Sequence, residues 1–130
     1  MSVTVEVPQP APWLAINNRD HWARTAAKVK AWRTAACEAS KDAPALIGTV
    51  TITATIHKAT RARYDLDGTA PTVKACIDGL RDAGLIIADE HDAVVRVVIE
   101  PGEVRKPGSV ELTVTRVPVR PTYVTGGGAV

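Results

Sequence analysis

Residues 61–92 read RARYDLDGTAPTVKACIDGLRDAGLIIADEHD. The middle of this stretch predicts a helix, because apolar residues recur there at helical spacing: Val73, Cys76, Ile77, Leu80 and Ala83. Pro71 suits the first turn, because proline has no backbone N–H that would need a partner there, and Gly84 suits the end, because glycine tolerates positive φ. Thr69 is the predicted N-cap. The stretch is therefore predicted to be one amphipathic helix with a polar segment at each end.

Acidic residues are concentrated in the same stretch. Residues 65–92 hold seven of the chain's fourteen aspartates and glutamates, but only two basic residues, Lys74 and Arg81. Asp65 and Asp67 precede the predicted helix, and Asp89 and Glu90 follow it. Side chains two positions apart in an extended segment point the same way, so Asp65 and Asp67 face one small volume. Carboxylates held this close repel each other unless a cation or a proton compensates their charge.

Strands are predicted on both sides of this helix from alternation with a period of two, at residues 3–7, 49–56, 94–99 and 110–115. The last two are interpreted as a hairpin with a long loop, because Pro-Gly pairs punctuate the connection between them. If the third strand lies beside the second, all four carboxylates are expected to converge at one end of the sheet.

Another helix is predicted from about Asn18, as N-cap, to Ser40. Its expected buried stripe is formed by Trp22, Ala26, Val29 and Ala36. Residues 19–33 contain five basic residues and a single acid. This basic face is either a solvated surface or a surface that contacts phosphates.

The order β-α-β-α-β-β predicts an α+β fold: a single domain with a mixed sheet and two helices packed on it. The domain is expected at residues 1–117 and a flexible tail at 118–130. Phenylalanine is absent, so Trp13, Trp22 and Trp32 are expected to be the large core residues. The net charge of +2 does not by itself indicate a nucleic-acid partner.

No apolar run approaches the ~18 residues that a membrane span requires, and the N-terminus lacks the features of a signal peptide. A cytoplasmic protein without a membrane partner is therefore expected. Cys37 and Cys76 each fall among apolar neighbours and have no ligand spacing, so both are expected to be reduced thiols.

The acids predict a metal site of hard oxygen ligands, which favours Mg²⁺ or Mn²⁺ over zinc. Such a site commonly serves phosphoryl transfer. Arg61 and Arg63 stand just before the aspartates, as contacts to a DNA backbone would require. The alternative is a pair of solvated turns, because aspartate is a common turn former.

Several short motifs together resemble the core of RusA-type Holliday junction resolvases, in the form common in phage-encoded members. They are Asp65-Leu66-Asp67, Pro71-Thr72-Val73-Lys74-Ala75, Asp78-Gly79-Leu80, Asp82-Ala83-Gly84 and Asp89-Glu90. Asn17-Asn18-Arg19 and His21-Trp22-Ala23 are similar to the N-terminal segment of that family. The resemblance spans roughly residues 3–116. It implies a homodimeric, Mg²⁺-dependent endonuclease that nicks two strands of a four-way DNA junction, in the bacterial host cytoplasm if the protein is phage-encoded.

The resemblance also assigns roles to residues. Asp65 and Asp67 match the first two catalytic aspartates, and Lys74 matches a lysine needed for catalysis. The third acid falls at Asp89-Glu90, where glutamate replaces the usual second aspartate. Mg²⁺, with Mn²⁺ as a substitute, is therefore expected on Asp65, Asp67, Asp89 and Glu90.

DNA contacts are expected from the basic residues around the acids and on the first helix: Arg19, Arg24, Lys28, Arg61, Arg63 and Lys74. Two alternatives stay open. One is a nuclease for flaps or replication forks, and the other is a module that binds DNA junctions but lost its metal through the glutamate change.

Overall fold

The computed structural model describes residues 1–14, 21–88 and 93–117. Its elements are β1 (Ser2–Pro8), α1 (Trp22–Ser40), β2 (Leu46–Ile47), β3 (Val50–His57), a 3₁₀ turn (Asp67–Thr69), α2 (Ala70–Asp82), β4 (Ile86–Ile87), β5 (Val94–Pro101) and β6 (Ser109–Arg116). The predicted α+β domain is confirmed, and the predicted tail at 118–130 lies outside the described residues. Within the described ranges, no helix is long and apolar enough to cross a membrane.

Four strands form one mixed sheet in the order β1-β6-β3-β5, and β2 and β4 form a small parallel pair. β6 is antiparallel to both β1 and β3, whereas β3 and β5 are parallel. A parallel pair needs a crossover connection, which α2 supplies here. The predicted hairpin of the last two strands is wrong, because β3 lies between β5 and β6. The long connection after β5 lets the chain cross to the other side of β3.

The two faces of the sheet differ in polarity. In β3, Val50, Ile52, Ala54 and Ile56 are buried, and the threonines between them are partly exposed. These buried residues of β3 pack with residues of α1 and α2 in one hydrophobic core. The other face is rich in threonine, with bonds such as Thr4 Oγ1 to Thr113 Oγ1 at 3.2 Å.

Trp32 is the largest fully buried side chain of the core. Its indole N–H donates to the Pro12 carbonyl at 3.1 Å, and its ring lies 5.0 Å from that of Trp13. A buried tryptophan needs such a hydrogen-bond partner for its N–H. The residues of α1 that are buried are Trp32, Ala36 and Ser40.

The predicted buried stripe of α1 is wrong at its beginning. Trp22 is 75% exposed, and Ala26 is also exposed. The helix starts at Trp22, with His21 as N-cap, whose Nδ1 accepts from the Ala23 N–H at 3.2 Å. The first turns of α1 are therefore not packed on the core. The cap predicted at Asn18 lies outside the described residues.

The two helices cross closely at Gly79. A Cβ on this glycine would lie 2.6 Å from the Ala36 Cβ and would also overlap the Arg33 carbonyl oxygen. Beside the crossing, the Arg33 guanidinium donates to Asp82 at 2.8 Å and lowers the pKa of that carboxyl. This crossing fixes the position of α2, and with it the turn that carries the aspartates.

Candidate functional site

Asp65 and Asp67 lie in the turn that leads into α2. The Asp65 carboxylate accepts from the Asp67 N–H at 3.2 Å, and the Asp65 carbonyl accepts from the Gly68 N–H at 3.1 Å. An aspartate that bonds the backbone two residues on is a common way to fix a turn. Both carboxylates are exposed. The turn therefore presents two carboxylates to solvent at the beginning of a helix.

The buried side of this turn is anchored to the core. Thr72, in the first part of α2, donates to the Leu14 carbonyl at 3.1 Å and accepts from the Leu14 N–H at 2.9 Å. Thr69 is at the N-cap position, as predicted, but its hydroxyl donates back to the Leu66 carbonyl at 2.6 Å and makes no cap bond. These contacts hold the aspartate turn in one place on the fold.

Lys74 is paired with an acid of its own helix. Its Nζ lies 3.3 Å from Asp78, which also accepts from Arg81 at 3.1 Å. The Lys74 side chain is 76% exposed. An exposed pair of this spacing contributes only about 0.3–0.5 kcal/mol. The pair with Asp78 therefore holds the ammonium only weakly, in the second turn of α2.

The loop between β3 and the aspartates is held by a lysine that the sequence analysis missed. Lys58 Nζ lies 4.5 Å from the centre of the Trp13 ring and 4.8 Å from that of Tyr64. Partial burial lowers the pKa of Lys58. A cation between two aromatic rings is stabilised by both faces. This contact ties down both ends of the loop that exposes Arg61 and Arg63.

A polar network anchors the end of β3, where this loop begins. The buried His57 ring contacts the Glu111 carboxylate at 3.0 Å and the Glu103 carbonyl at 2.8 Å. Close by, Glu6 accepts from Ser109 at 2.7 Å and from Arg105 at 2.8 Å. Both bonds lower the pKa of Glu6, with Ser109 as the larger cause.

The lowered pKa of Glu6 predicts a pH dependence of stability. A carboxylate whose pKa is lowered by folding stabilises the fold above its ordinary pKa of 4.5 and loses that effect as the pH falls below it. Glu6→Gln is therefore expected to lower the Tm at pH 7 and to leave it close to that of the wild type at pH 3. The exposed Asp42→Asn is the control. An equal Tm difference at both pH values would contradict the assignment.

The directions of the strands determine where the two acidic segments leave the sheet. β3 and β5 are neighbours, as the convergence prediction required, but they are parallel. The carbonyl of Ala93, the first described residue after the second acidic segment, therefore accepts from the Val50 N–H at the beginning of β3. The aspartate turn follows the other end of β3. The ground for the predicted convergence is therefore wrong within one protomer, because parallel neighbours put the end of β3 and the beginning of β5 at opposite ends of the sheet. Asp89 and Glu90 themselves lie outside the described residues.

The basic residues of α1 form a separate surface. Arg24 is exposed and Lys28 is partly exposed, and both lie in the first half of the helix, before its crossing with α2. Trp22, at the first position of α1, is also exposed, with its ring 5.4 Å from that of His21, but residues two apart on a helix do not share a face, so it does not extend the surface of Arg24. The predicted contact residue Arg19 lies outside the described residues.

The chemistry of the donors fits magnesium. Within residues 1–14, 21–88 and 93–117, no group of three or more His, Cys, Asp and Glu side chains is arranged to hold a metal ion. Mg²⁺ usually binds one or two carboxylates together with water and substrate phosphate, and needs no cage made only of protein ligands. Asp65 and Asp67 supply that minimal set. The other predicted ligands, Asp89 and Glu90, lie outside the described residues.

No protein-family model matches the chain. No curated protein matches it significantly either. The resemblance to junction resolvases therefore stays a prediction from the sequence motifs.

Proposed function

We propose that this protein is a Mg²⁺-dependent endonuclease that, as a homodimer, resolves four-way DNA junctions. The observation that carries the proposal is the exposed Asp65–Asp67 turn, fixed in front of α2 and preceded by exposed Arg61 and Arg63. Mg²⁺ is commonly held by one or two carboxylates together with substrate phosphate, and two arginines beside them suit a DNA backbone. Metal and phosphate would thus be bound at neighbouring points of one anchored segment.

Asp65 and Asp67, with one or both of Asp89 and Glu90, would hold the ion. When bound, Mg²⁺ supplies an activated water molecule and neutralises charge on the phosphate. Lys74 stabilises the negative charge that develops on the phosphate. Its weak pair with Asp78 and its exposed side chain leave the ammonium accessible to DNA.

Arg61 and Arg63 hold the DNA backbone beside the carboxylates, and Arg24 and Lys28 contact it from α1. A four-way junction has approximate two-fold symmetry, and a two-fold dimer presents two equal sites to it. Paired nicks then follow from two copies of the same site.

The salt dependence of junction binding tests the backbone contacts. Arg61→Ala with Arg63→Ala is expected to reduce the slope of log K against log salt by about 2, since each lost phosphate contact removes about one unit. Arg24→Ala with Lys28→Ala tests the α1 surface separately. Arg116→Ala, an exposed cation at the end of β6, is the control. An unchanged slope in both double variants would place the DNA elsewhere.

The substrate is tested by incubating the protein with a synthetic four-way junction, a flap, a fork and a linear duplex, each with and without Mg²⁺. The proposal expects nicks in the four-way junction only when Mg²⁺ is present. Preferred cleavage of the flap or fork would replace the proposal with a different branched-DNA nuclease. Junction binding without any nicking in Mg²⁺ or Mn²⁺ would make the protein a non-catalytic binding module.

A further inference from the structure

The two edges of the sheet are unlike. At one edge, β1 exposes Ser2, Thr4 and Glu6, and its valines point inward. At the other edge, β5 exposes apolar residues: Val95 is 59% exposed, Val97 41% and Val98 39%. A long apolar edge strand is a template for pairing with another strand, and proteins usually protect such an edge.

Among the described residues, no strand pairs with the outer side of β5. The Gly102 N–H donates to the Ile56 carbonyl on β3 at 2.9 Å. Amides alternate in direction along a strand, so the amides of Glu100 and Val98 also point to β3. The amides of Val97 and Ile99 consequently point to the open edge. Pro101 also lies on that side, where its missing N–H is tolerated.

We infer that β5 pairs with β5 of a second copy of this chain, antiparallel and with the two-fold axis at Val98. In that register Val97 and Ile99 of one protomer exchange hydrogen bonds with Ile99 and Val97 of its partner. Val98 then faces its own copy in a pair without hydrogen bonds, which matches the direction of its amide towards β3. The two four-stranded sheets become one continuous sheet.

Charge complementarity favours a second copy of this chain as the partner of the β5 edge, and it fixes the register of the pairing. Arg96 and Glu100 lie two residues on either side of Val98, and both are exposed. Pairing centred on Val98 places Arg96 of each protomer opposite Glu100 of the other. Opposite charges facing each other across strands are stabilising, and like charges are destabilising. A strand whose own charges complement it in this way is suited to an isologous interface.

The same pairing covers a mainly apolar groove of about 480 Å³ between α2 and β5, whose lining also includes Lys74 and Arg81. Val73 and Ile77 of α2 line it together with Val97 and Ile99. The partner's Val97 and Ile99 would lie beside this opening, so the interface continues the core of each protomer. This deepens the dimer of the proposed function but rests on the edge strand alone, so it can be tested without nuclease activity.

The register has a consequence for the site. Within a protomer, the aspartate turn and Ala93 belong to opposite ends of β3. A partner that runs antiparallel across the two-fold axis at Val98 has these two ends exchanged. The aspartate turn of one protomer then lies at the same end of the joint sheet as Ala93 of the other.

Disulfide cross-linking tests the axis. Cα atoms in a pair without hydrogen bonds lie about 4.5 Å apart, which a disulfide can bridge. Val98→Cys in a Cys37→Ser background is expected to form a covalent dimer on mild oxidation. The remaining Cys76 is buried, and its burial raises the pKa of the thiol to about 12, so it stays unreactive.

Val95→Cys in the same background is the matched control. It is more exposed than Val98, but the two copies of residue 95 would be six positions apart, about 20 Å along the strands. This variant is expected to remain monomeric on a non-reducing gel. Equal cross-linking of the two variants, or none at Val98→Cys, would overturn the proposed register.

Exchanging the charges provides a second test. Arg96→Glu and Glu100→Arg each create like charges across the axis, so each variant alone is expected to elute as a monomer of 13.8 kDa. An equimolar mixture of the two restores both opposite-charge pairs and is expected to elute as a dimer. Arg116→Glu, on β6, changes the net charge equally and should remain dimeric. A wild-type protein that is monomeric at all concentrations, or single variants that dimerise normally, would overturn the inference.

Discussion

Asp67→Asn is expected to lower the rate of junction cleavage by about 100-fold or more, equivalent to about 2.7 kcal/mol of transition-state stabilisation. The asparagine keeps the size of the side chain but removes a charged ligand for Mg²⁺. It also removes a negative charge beside the DNA phosphates, so junction binding is expected to be unchanged or tighter. Both quantities are measured on the same labelled junction, with cleavage in Mg²⁺ and binding in Ca²⁺ or without metal.

Asp42→Asn is the control for this variant, because Asp42 is an exposed aspartate that follows α1 and lies outside the proposed site. It is expected to cleave at the wild-type rate. Asp65→Asn should reproduce the loss in Asp67→Asn, although it also changes the acceptor that fixes the turn. Cleavage by Asp67→Asn at the wild-type rate would show that this turn does not hold the metal.

Gly79→Val is expected to destabilise the fold by about 3 kcal/mol, the upper part of the range for overpacking a core. A Cβ at this position would overlap the Arg33 carbonyl and lie within 2.6 Å of the Ala36 Cβ, so the two helices must move apart. For a domain of this size, that loss corresponds to a fall in Tm of about 10 °C. Thermal unfolding followed by circular dichroism measures it.

Gly68→Ala is the control for the glycine substitution. An added Cβ there would meet Asp65 Oδ2 at 3.4 Å, an ordinary contact, so only a small change in Tm is expected. If Gly79→Val unfolded at the wild-type temperature, the helices would not cross as closely as described here.

The sequence predicts the elements of this fold better than their arrangement. Alternation at residues 49–56 reports that one side of the strand is buried, and the structure agrees. It carries no information on which strand lies beside which. The assumed hairpin of β5 and β6 therefore failed, because β6 returns across β3 to pair on its other side.

The apolar residues of β5 lie on both faces of the strand, which its interpretation as an alternating strand did not take into account. Val94, Val95, Val97, Val98 and Ile99 place apolar groups on both faces of the strand. Such a run is typical of a strand covered on both sides. Within one protomer β5 is an exposed edge strand, which is why a second copy is the partner that we infer.

Positions in the site were partly predictable. The sequence correctly placed two exposed carboxylates before α2, but the extended geometry expected for Asp-x-Asp is wrong, because Leu66 has helical φ and ψ and Asp67 begins a 3₁₀ turn. The pairing of Lys74 with Asp78 follows from i,i+4 spacing and was available in the sequence. The contact of Lys58 with Trp13 joins residues far apart in the chain, so it required the tertiary fold.

Cleavage of a supercoiled plasmid that extrudes a cruciform tests the central claim most directly. The cruciform is a four-way junction, and paired nicks made by one bound dimer convert the plasmid to the linear form. We expect linear product with the wild-type protein in Mg²⁺ and none in its absence. A plasmid that stays supercoiled in both Mg²⁺ and Mn²⁺, although the protein binds the junction, would contradict the proposed nuclease.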